Sequence, residues 1–230
     1  GETGVLTKDG AGEWAVARVP AGVKTVKVEN GTLRVMPRPS VARGAFATAT
    51  VPNPSFETVG SMGTASWAYS PSGALWTFMP QTKITEIGLT NQVDKGSGLV
   101  KAGDRIAPWL SPPIPTWDGG RYVAFVQRSG SIQGSVTLPE NGCYKLSFAL
   151  ARRTSNLPHL LEVWFDGLVV GMAEANNDNF ARREIALPYR SAGAYTVIFQ
   201  GLHREAGDRT SLIDDLRIER VADDGNIVSD

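Results

Sequence analysis

Six tryptophans, five tyrosines and eight phenylalanines stand against one cysteine, Cys143, and two histidines, His159 and His203. That balance favours binding over covalent chemistry. No Gly-x-Ser-x-Gly sets a serine on a nucleophile turn. Cys143 lies beside a turn with only Lys145 as a basic neighbour and reads as a small apolar filler. Both histidines fall in predicted loops and read as surface residues. Glycoside hydrolysis needs two carboxylates facing each other across a cleft, and the spacing of Glu162 and Glu184 recommends no such pair. The chain is therefore expected not to be an enzyme. Aromatic rings, by contrast, can cover the apolar side of a pyranose while polar side chains fix its hydroxyls.

The elements that would position such rings are strands. Short runs of alternating apolar residues, bounded by Gly, Pro, Asn and Asp, recur at 122–126, 131–138, 144–150, 161–165, 194–199 and 212–218. Period-2 alternation over such lengths predicts half-buried strands. Asn141-Gly142 and Asp166-Gly167 read as tight turns, since these residues tolerate positive φ. Alternation sorts the side chains. Leu161, Val163 and Phe165 point to a core, leaving Glu162 and Trp164 opposite; Leu146, Phe148 and Leu150 do the same, leaving Ser147, Ala149, Ala151 and Arg153. A surface of small residues with Trp164, Glu162 and Arg153 is a candidate ligand face; equally, a loop or the N-terminal segment could pack there over Trp164. Trp109 and Trp117 flank a proline-rich stretch and are either loop binders or anchors pinning that loop to a sheet. No stretch of ten residues carries a helical stripe, so the fold class is all-β, a sandwich or barrel.

Composition narrows the partners. Lys plus Arg equals Asp plus Glu at 23 each. Zero net charge argues against a nucleic-acid binder or a polybasic membrane-surface protein. No apolar run approaches the ~18 residues needed for a membrane helix. One cysteine excludes an internal disulfide framework and a multi-thiolate zinc site. A start at Gly1 without Met or a signal segment reads as a piece of a longer protein, Gly1 being a possible tag remnant.

Residues 1–50 form an N-terminal β segment and linker. Three short strands are expected at 5–8, 10–16 and 26–35, and Leu6-Thr7-Lys8-x-Gly10-x-Gly12-x-Trp14, followed by Gly31-Thr32-Leu33-Arg34-Val35, resembles one unit of autotransporter-type β-strand repeats. That implies the end of a preceding repeat region, because one such unit cannot bury its own apolar face.

From Val51 the chain resembles the galactose-binding-like jelly-roll sandwiches, especially bacterial carbohydrate-binding modules. Asn53-Pro54-Ser55-Phe56-Glu57 is similar to their opening signature and Trp76-Thr77-Phe78 to an early strand. Asp118-Gly119-Gly120-Arg121-Tyr122 follows, and Leu212-Ile213-Asp214-Asp215-Leu216-Arg217-Ile218 is similar to their last strand. The resemblance implies a two-sheet antiparallel jelly-roll over 51–222 with a tail at 223–230. It implies glycan binding by a secreted or cell-surface module of a larger bacterial protein, with neighbouring domains of that chain as further partners. A structural or adhesive spacer with no small ligand is the alternative, since one fold hosts many roles. It also implies a structural Ca²⁺ at the joined first and last strands, held by Glu57 and Asp214 or Asp215. Asp214 is expected on the core face with Leu212, Leu216 and Ile218, where a lone carboxylate needs a cation, backbone amides or an arginine.

Overall fold

The computed structural model of the protein describes residues 4–11, 13–16, 23–35, 48–60, 62, 66–80, 95–101, 117–153, 157–203 and 208–221. Two compact units divide the chain, the second spanning Ala47–Val221.

The first unit holds β1 (Gly4–Lys8), β2 (Glu13–Val16), β3 (Val23–Val28) and β4 (Thr32–Val35). The expected three strands are four, because Asn30-Gly31 turns the chain within the third, with Gly31 at φ +76°. β1 pairs with β3 and β2 with β4, both in parallel. Parallel pairing needs a long crossover between partners, and here each crossover carries a strand of the other pair. The Lys8 ammonium is buried and donates to the Asp9, Gly10 and Asn30 carbonyls, so the cation ties the turn after β1 to the turn after β3.

The second unit contains β5 (Trp67–Tyr69), β6 (Thr77–Met79), β7 (Ser97–Lys101), β8 (Tyr122–Gln127), β9 (Ser131–Leu138), β10 (Gly142–Arg152), β11 (His159–Phe165), β12 (Leu168–Ala175), β13 (Ala181–Arg190), β14 (Gly193–Gly201) and β15 (Thr210–Arg220). They form a six-stranded sheet, β13-β10-β15-β8-β7-β5, and a five-stranded sheet, β12-β11-β14-β9-β6. Every pairing in both is antiparallel. From β8 to β15 the chain changes sheet at each connection except the β11–β12 hairpin, which is jelly-roll winding. That hairpin turns on Asp166-Gly167, both at positive φ as the sequence requires.

Alternation builds the core. Phe78, Ile132, Val136, Leu161, Val163, Phe165, Val197 and Phe199 from one sheet meet Leu99, Leu146, Phe148, Leu150, Ile213, Leu216 and Ile218 from the other. Phe148 and Phe199 join the layers edge to face at 4.8 Å; each such ring stabilises by about 2–3 kcal/mol relative to exposure. The opening signature is locked by the Trp76 indole N–H, which donates to the Pro52 carbonyl at 2.8 Å, while its ring leans on buried Phe56. A side chain at Gly134 would strike that indole, which is why the strand beneath carries glycine there. Leu216 N–H donates to the Pro54 carbonyl, so first and last segments meet.

Two expectations fail in β15 and β11. Asp214 does not share a face with Leu216 and Ile218. β15 bulges, with Asp215 at φ +47° and two residues, Asp215 and Leu216, set opposite Phe148 alone. A bulge's extra residue reverses the alternation. Leu212 and Asp214 therefore face outward, Leu212 within a second apolar cluster of Val100, Val123, Phe125 and Ala151, while Ile213, Leu216 and Ile218 face the core. His159 is not on the surface: it is fully buried at the start of β11. Its Nε2 lies 2.7 Å from the Arg128 carbonyl and its Nδ1 2.8 Å from the Ser211 hydroxyl. A carbonyl only accepts, so Nε2 carries the proton and Nδ1 accepts from Ser211. Burial holds the ring's pKa down to about 4, which keeps it neutral.

Candidate functional site: an open sheet face

With the inward residues of the five-stranded sheet assigned to the core, their alternates form its outer face. Register places them in rows across the strands. One row runs Val169, Trp164, Ile198, Gln133, Thr77; the next runs Met172, Glu162, Gln200, Ser131, Met79. A third pairs Thr196 with Ser135. Five strands spaced ~4.8 Å apart make this face about 19 Å wide.

Trp164 is second of the five in its row, one strand in from the edge, and is half-buried. Its indole N–H donates to Glu162 Oε2 at 3.1 Å, two residues back on the same strand and hence on the same face. Gln133, Ser135 and Thr77 are exposed beside it, and Met172, Val169 and Met79 supply exposed apolar surface at the two margins. Gln200 is fixed by donating from Nε2 to the Ser129 and Gly201 carbonyls at 2.8 and 2.9 Å. An aromatic ring flanked in its row by Val169 and Ile198, with hydroxyls and an amide two and three strands further on, can stack on a flat, hydroxylated ligand while those groups hydrogen-bond the rest of it. The sequence marked Trp164 and Glu162; Gln133, Gln200, Ser135 and Thr77 join only through the register.

Arg153 is not part of this face. It follows β10 in the six-stranded sheet, where its guanidinium pairs with Asp208 and its N–H donates to the Thr210 carbonyl. Ser147, Ala149 and Ala151 lie on that sheet too and are buried. The small residues and Trp164 therefore occupy opposite sides of the sandwich: equal parity on two strands says nothing about which sheet each strand joins.

What covers Ser147 and Ala149 is charge. Arg182 lies directly across from Ala149, and its guanidinium reaches past it to the Asp215 carbonyl and carboxylate. Arg217 donates to Asp215 from the other side, at 3.1 Å. These guanidinium bonds hold the Asp215 pKa below its usual value against the opposing effect of burial. Trp117 is 41% exposed; its ring centroid is 5.1 Å from the Arg182 guanidinium, and its backbone N–H donates to Asp214 Oδ2. Trp109 lies outside the described residues.

Three carboxylates bind the segment that follows Trp117. Asp214 accepts from Trp117 N–H and from the Asp215 N–H, Asp118 accepts from Gly120 N–H, and Glu57 accepts from both Arg121 and Tyr122 N–H groups at 2.8 and 2.9 Å. Gly120 lacks a side chain where Glu57 passes. Burial, with the nearby Asp118 charge, pushes the Asp214 carboxyl up to about 7. As a test of calcium chemistry, Asp215 does not fit, since two guanidinium groups already neutralise it. Asp214 and Glu57 offer the hard oxygens Ca²⁺ takes, bonded by backbone amides and, among the described residues, by no cationic side chain. Among the described residues, no three Asp, Glu, His or Cys side chains are gathered closely enough to hold a metal ion. Asp118 was marked in the sequence only as part of the Asp118–Tyr122 motif, with no role as a carboxylate assigned to it.

No protein-family model matches the chain, and no curated protein does. Solved structures do. The carbohydrate-binding module TmCBM61, solved in complex with beta-1,4-galactotriose, is 20% identical, with 74% of this chain and 97% of that one covered at a TM-score of 0.45. The xylan-binding domain CBM22-1 of Paenibacillus barcinonensis Xyn10C is 10% identical, covering 78% and 98% at 0.43. The module CBM6cm-2 of Cellvibrio mixtus lichenase 5A, in complex with cellotriose, is 12% identical, covering 64% and 98% at 0.39. No helix among the described residues is long and apolar enough to cross a membrane.

Proposed function

We propose that the sandwich is a non-catalytic glycan-binding module of a larger secreted or cell-surface bacterial protein, and that it binds through the outer face of the five-stranded sheet. One observation carries the reading: a half-buried tryptophan one strand in from the edge of an open face whose other outward residues are mostly hydroxyls, amides and apolar side chains. A pyranose chain laid across the strands would stack on Trp164 and hydrogen-bond to Gln133, Thr77 and Ser135. Trp117, with its ring beside Arg182, serves as the loop's anchor.

The proposal extends to a structural Ca²⁺ between Glu57 and Asp214, without Asp215. Its part would be to neutralise buried carboxylate, and the backbone carbonyls around 117–121 would complete its shell. A cation bound only by the folded state raises the melting temperature, so EDTA should lower it and added CaCl₂ restore it; an EDTA-insensitive melt with no metal retained removes the ion.

Affinity electrophoresis in gels containing β-1,4-galactan, xylan or hydroxyethyl cellulose tests the main reading. At least one polymer should retard the protein, Trp164→Ala should abolish the retardation, and Trp117→Ala should preserve it. No retardation by any polysaccharide would replace this reading with a structural or adhesive spacer.

A further inference from the structure

Charge is distributed unevenly over the proposed face. Outward along its rows stand Thr77 and Met79 on β6, Gln133, Ser135 and Thr137 on β9, and Ala194, Thr196, Ile198 and Gln200 on β14. Leu160, Glu162 and Trp164 follow on β11, with Met172 and Glu174 on β12. Two of these are ionisable, both acidic, and no lysine or arginine is among them. Glu174 lies on the edge strand. Glu162 lies one strand in, flanked in register by Met172 and Gln200.

Among the described residues, nothing offsets the charge on Glu162. Its Oε2 accepts the Trp164 indole N–H, and among the described residues no cation pairs with it. The adjacent Gln200 amide donates its hydrogens to the Ser129, Gly130 and Gly201 carbonyls instead. A ligand stacked on Trp164 therefore lies against an uncompensated carboxylate at the range of one side-chain pair.

From this geometry we infer that the face selects uncharged glycan chains against acidic ones, and that Glu162 is the discriminating residue. This deepens the glycan reading and rests on it. Glu162 acts in two ways. Its hydrogen bond positions the indole, and its charge repels uronate or other carboxylate substituents. Like charges a few ångströms apart at a protein surface weaken binding by roughly ten-fold per contact, less as salt rises.

The test compares each polysaccharide that retards the full chain with its carboxymethylated form. At low ionic strength, carboxymethylation should raise Kd by about ten-fold, and the gap should narrow at 0.5 M NaCl, by screening. Glu162→Gln keeps an acceptor for the indole N–H. Whatever it does to neutral-polymer affinity, it should close most of the gap, read as the ratio of carboxymethylated to neutral Kd. Gln133→Glu, at an exposed position in the Trp164 row, should widen it. Equal wild-type affinity for neutral and carboxymethylated polymers, with both lost in Trp164→Ala, would overturn the inference and leave the glycan reading standing. So would an unchanged ratio in Glu162→Gln. Absence of binding to every polymer would overturn both.

Discussion

The two outer faces of the sandwich are built from the same kind of alternating strand and end in opposite states. On the five-stranded side, outward residues are hydroxyls, amides, apolar side chains and a tryptophan, with little charge and, among the described residues, no ion-pair lattice. On the six-stranded side, Arg182, Asp215 and Arg217 are laced over Ser147 and Ala149, and Lys145 bridges to Glu184 at 2.8 Å. Small residues in a strand thus mark a surface that its own neighbours cover, whereas the open surface carries residues of middling size. A face is available to a ligand when its side chains have no better partner in the molecule.

Acid challenges what holds both sides together, and the largest effect is expected there. His159 joins β11 of one sheet to Ser211 of the other. Its folded pKa of about 4 lies below the ordinary value of ~6.5. The unfolded chain therefore binds the extra proton first. The contribution is fully present above pH ~6.5 and is lost as pH falls through ~4, on the order of 3 kcal/mol. Urea unfolding at pH 7 and pH 4 should show that loss in the wild type and a flatter dependence in His159→Gln; identical slopes would mean the histidine is not the sensor.

Next in size is the ion lattice. Asp215→Ala strands two guanidinium groups. A fully buried pair would cost about 3–5 kcal/mol, but the Arg182 and Arg217 side chains are 22% and 55% exposed, so about 2–3 kcal/mol is expected, with glycan binding intact. A loss of binding in that variant would mean the two sides are not independent.

The smallest effects come from adding volume. Ala149→Leu must lift Arg182 and should cost about 1–3 kcal/mol, whereas Ser135→Leu on the open side should stay within about 0.5 kcal/mol. Equal melting shifts for the two would contradict the contrast between the faces.

Much of the sandwich was legible in the sequence. The alternation at 131–138 and 144–150 marks β9 and the middle of β10, and Asp166-Gly167 is the hairpin turn. The opening Asn53–Glu57 segment and the closing strand do meet. The strands that escaped notice hide their period. β12 exposes apolar Leu168, Val169 and Met172, which fall on both parities, and β13 carries two arginines directly after its first residue, Ala181. β5 is three residues, too short to show a repeat, and β6, equally short, was marked only by the resemblance of Trp76-Thr77-Phe78 to an early strand. At the site, Trp164 and Glu162 are visible because they share one strand. Their partners on β9, β14 and β6 are set by register, which no single segment contains. Arg153 was misplaced for the same reason, and Asp214 because a bulge leaves no local mark other than the paired aspartates.

Those paired aspartates bear on how the chain tolerates changes of length. Removing Asp215 would take out the bulge's extra residue and leave strict alternation, with Ile213, Leu216 and Ile218 still toward the core and Asp214 and Arg217 outward. Loss of a residue here is absorbed by the bulge; loss of one between Arg217 and Arg220 would turn the end of the strand over.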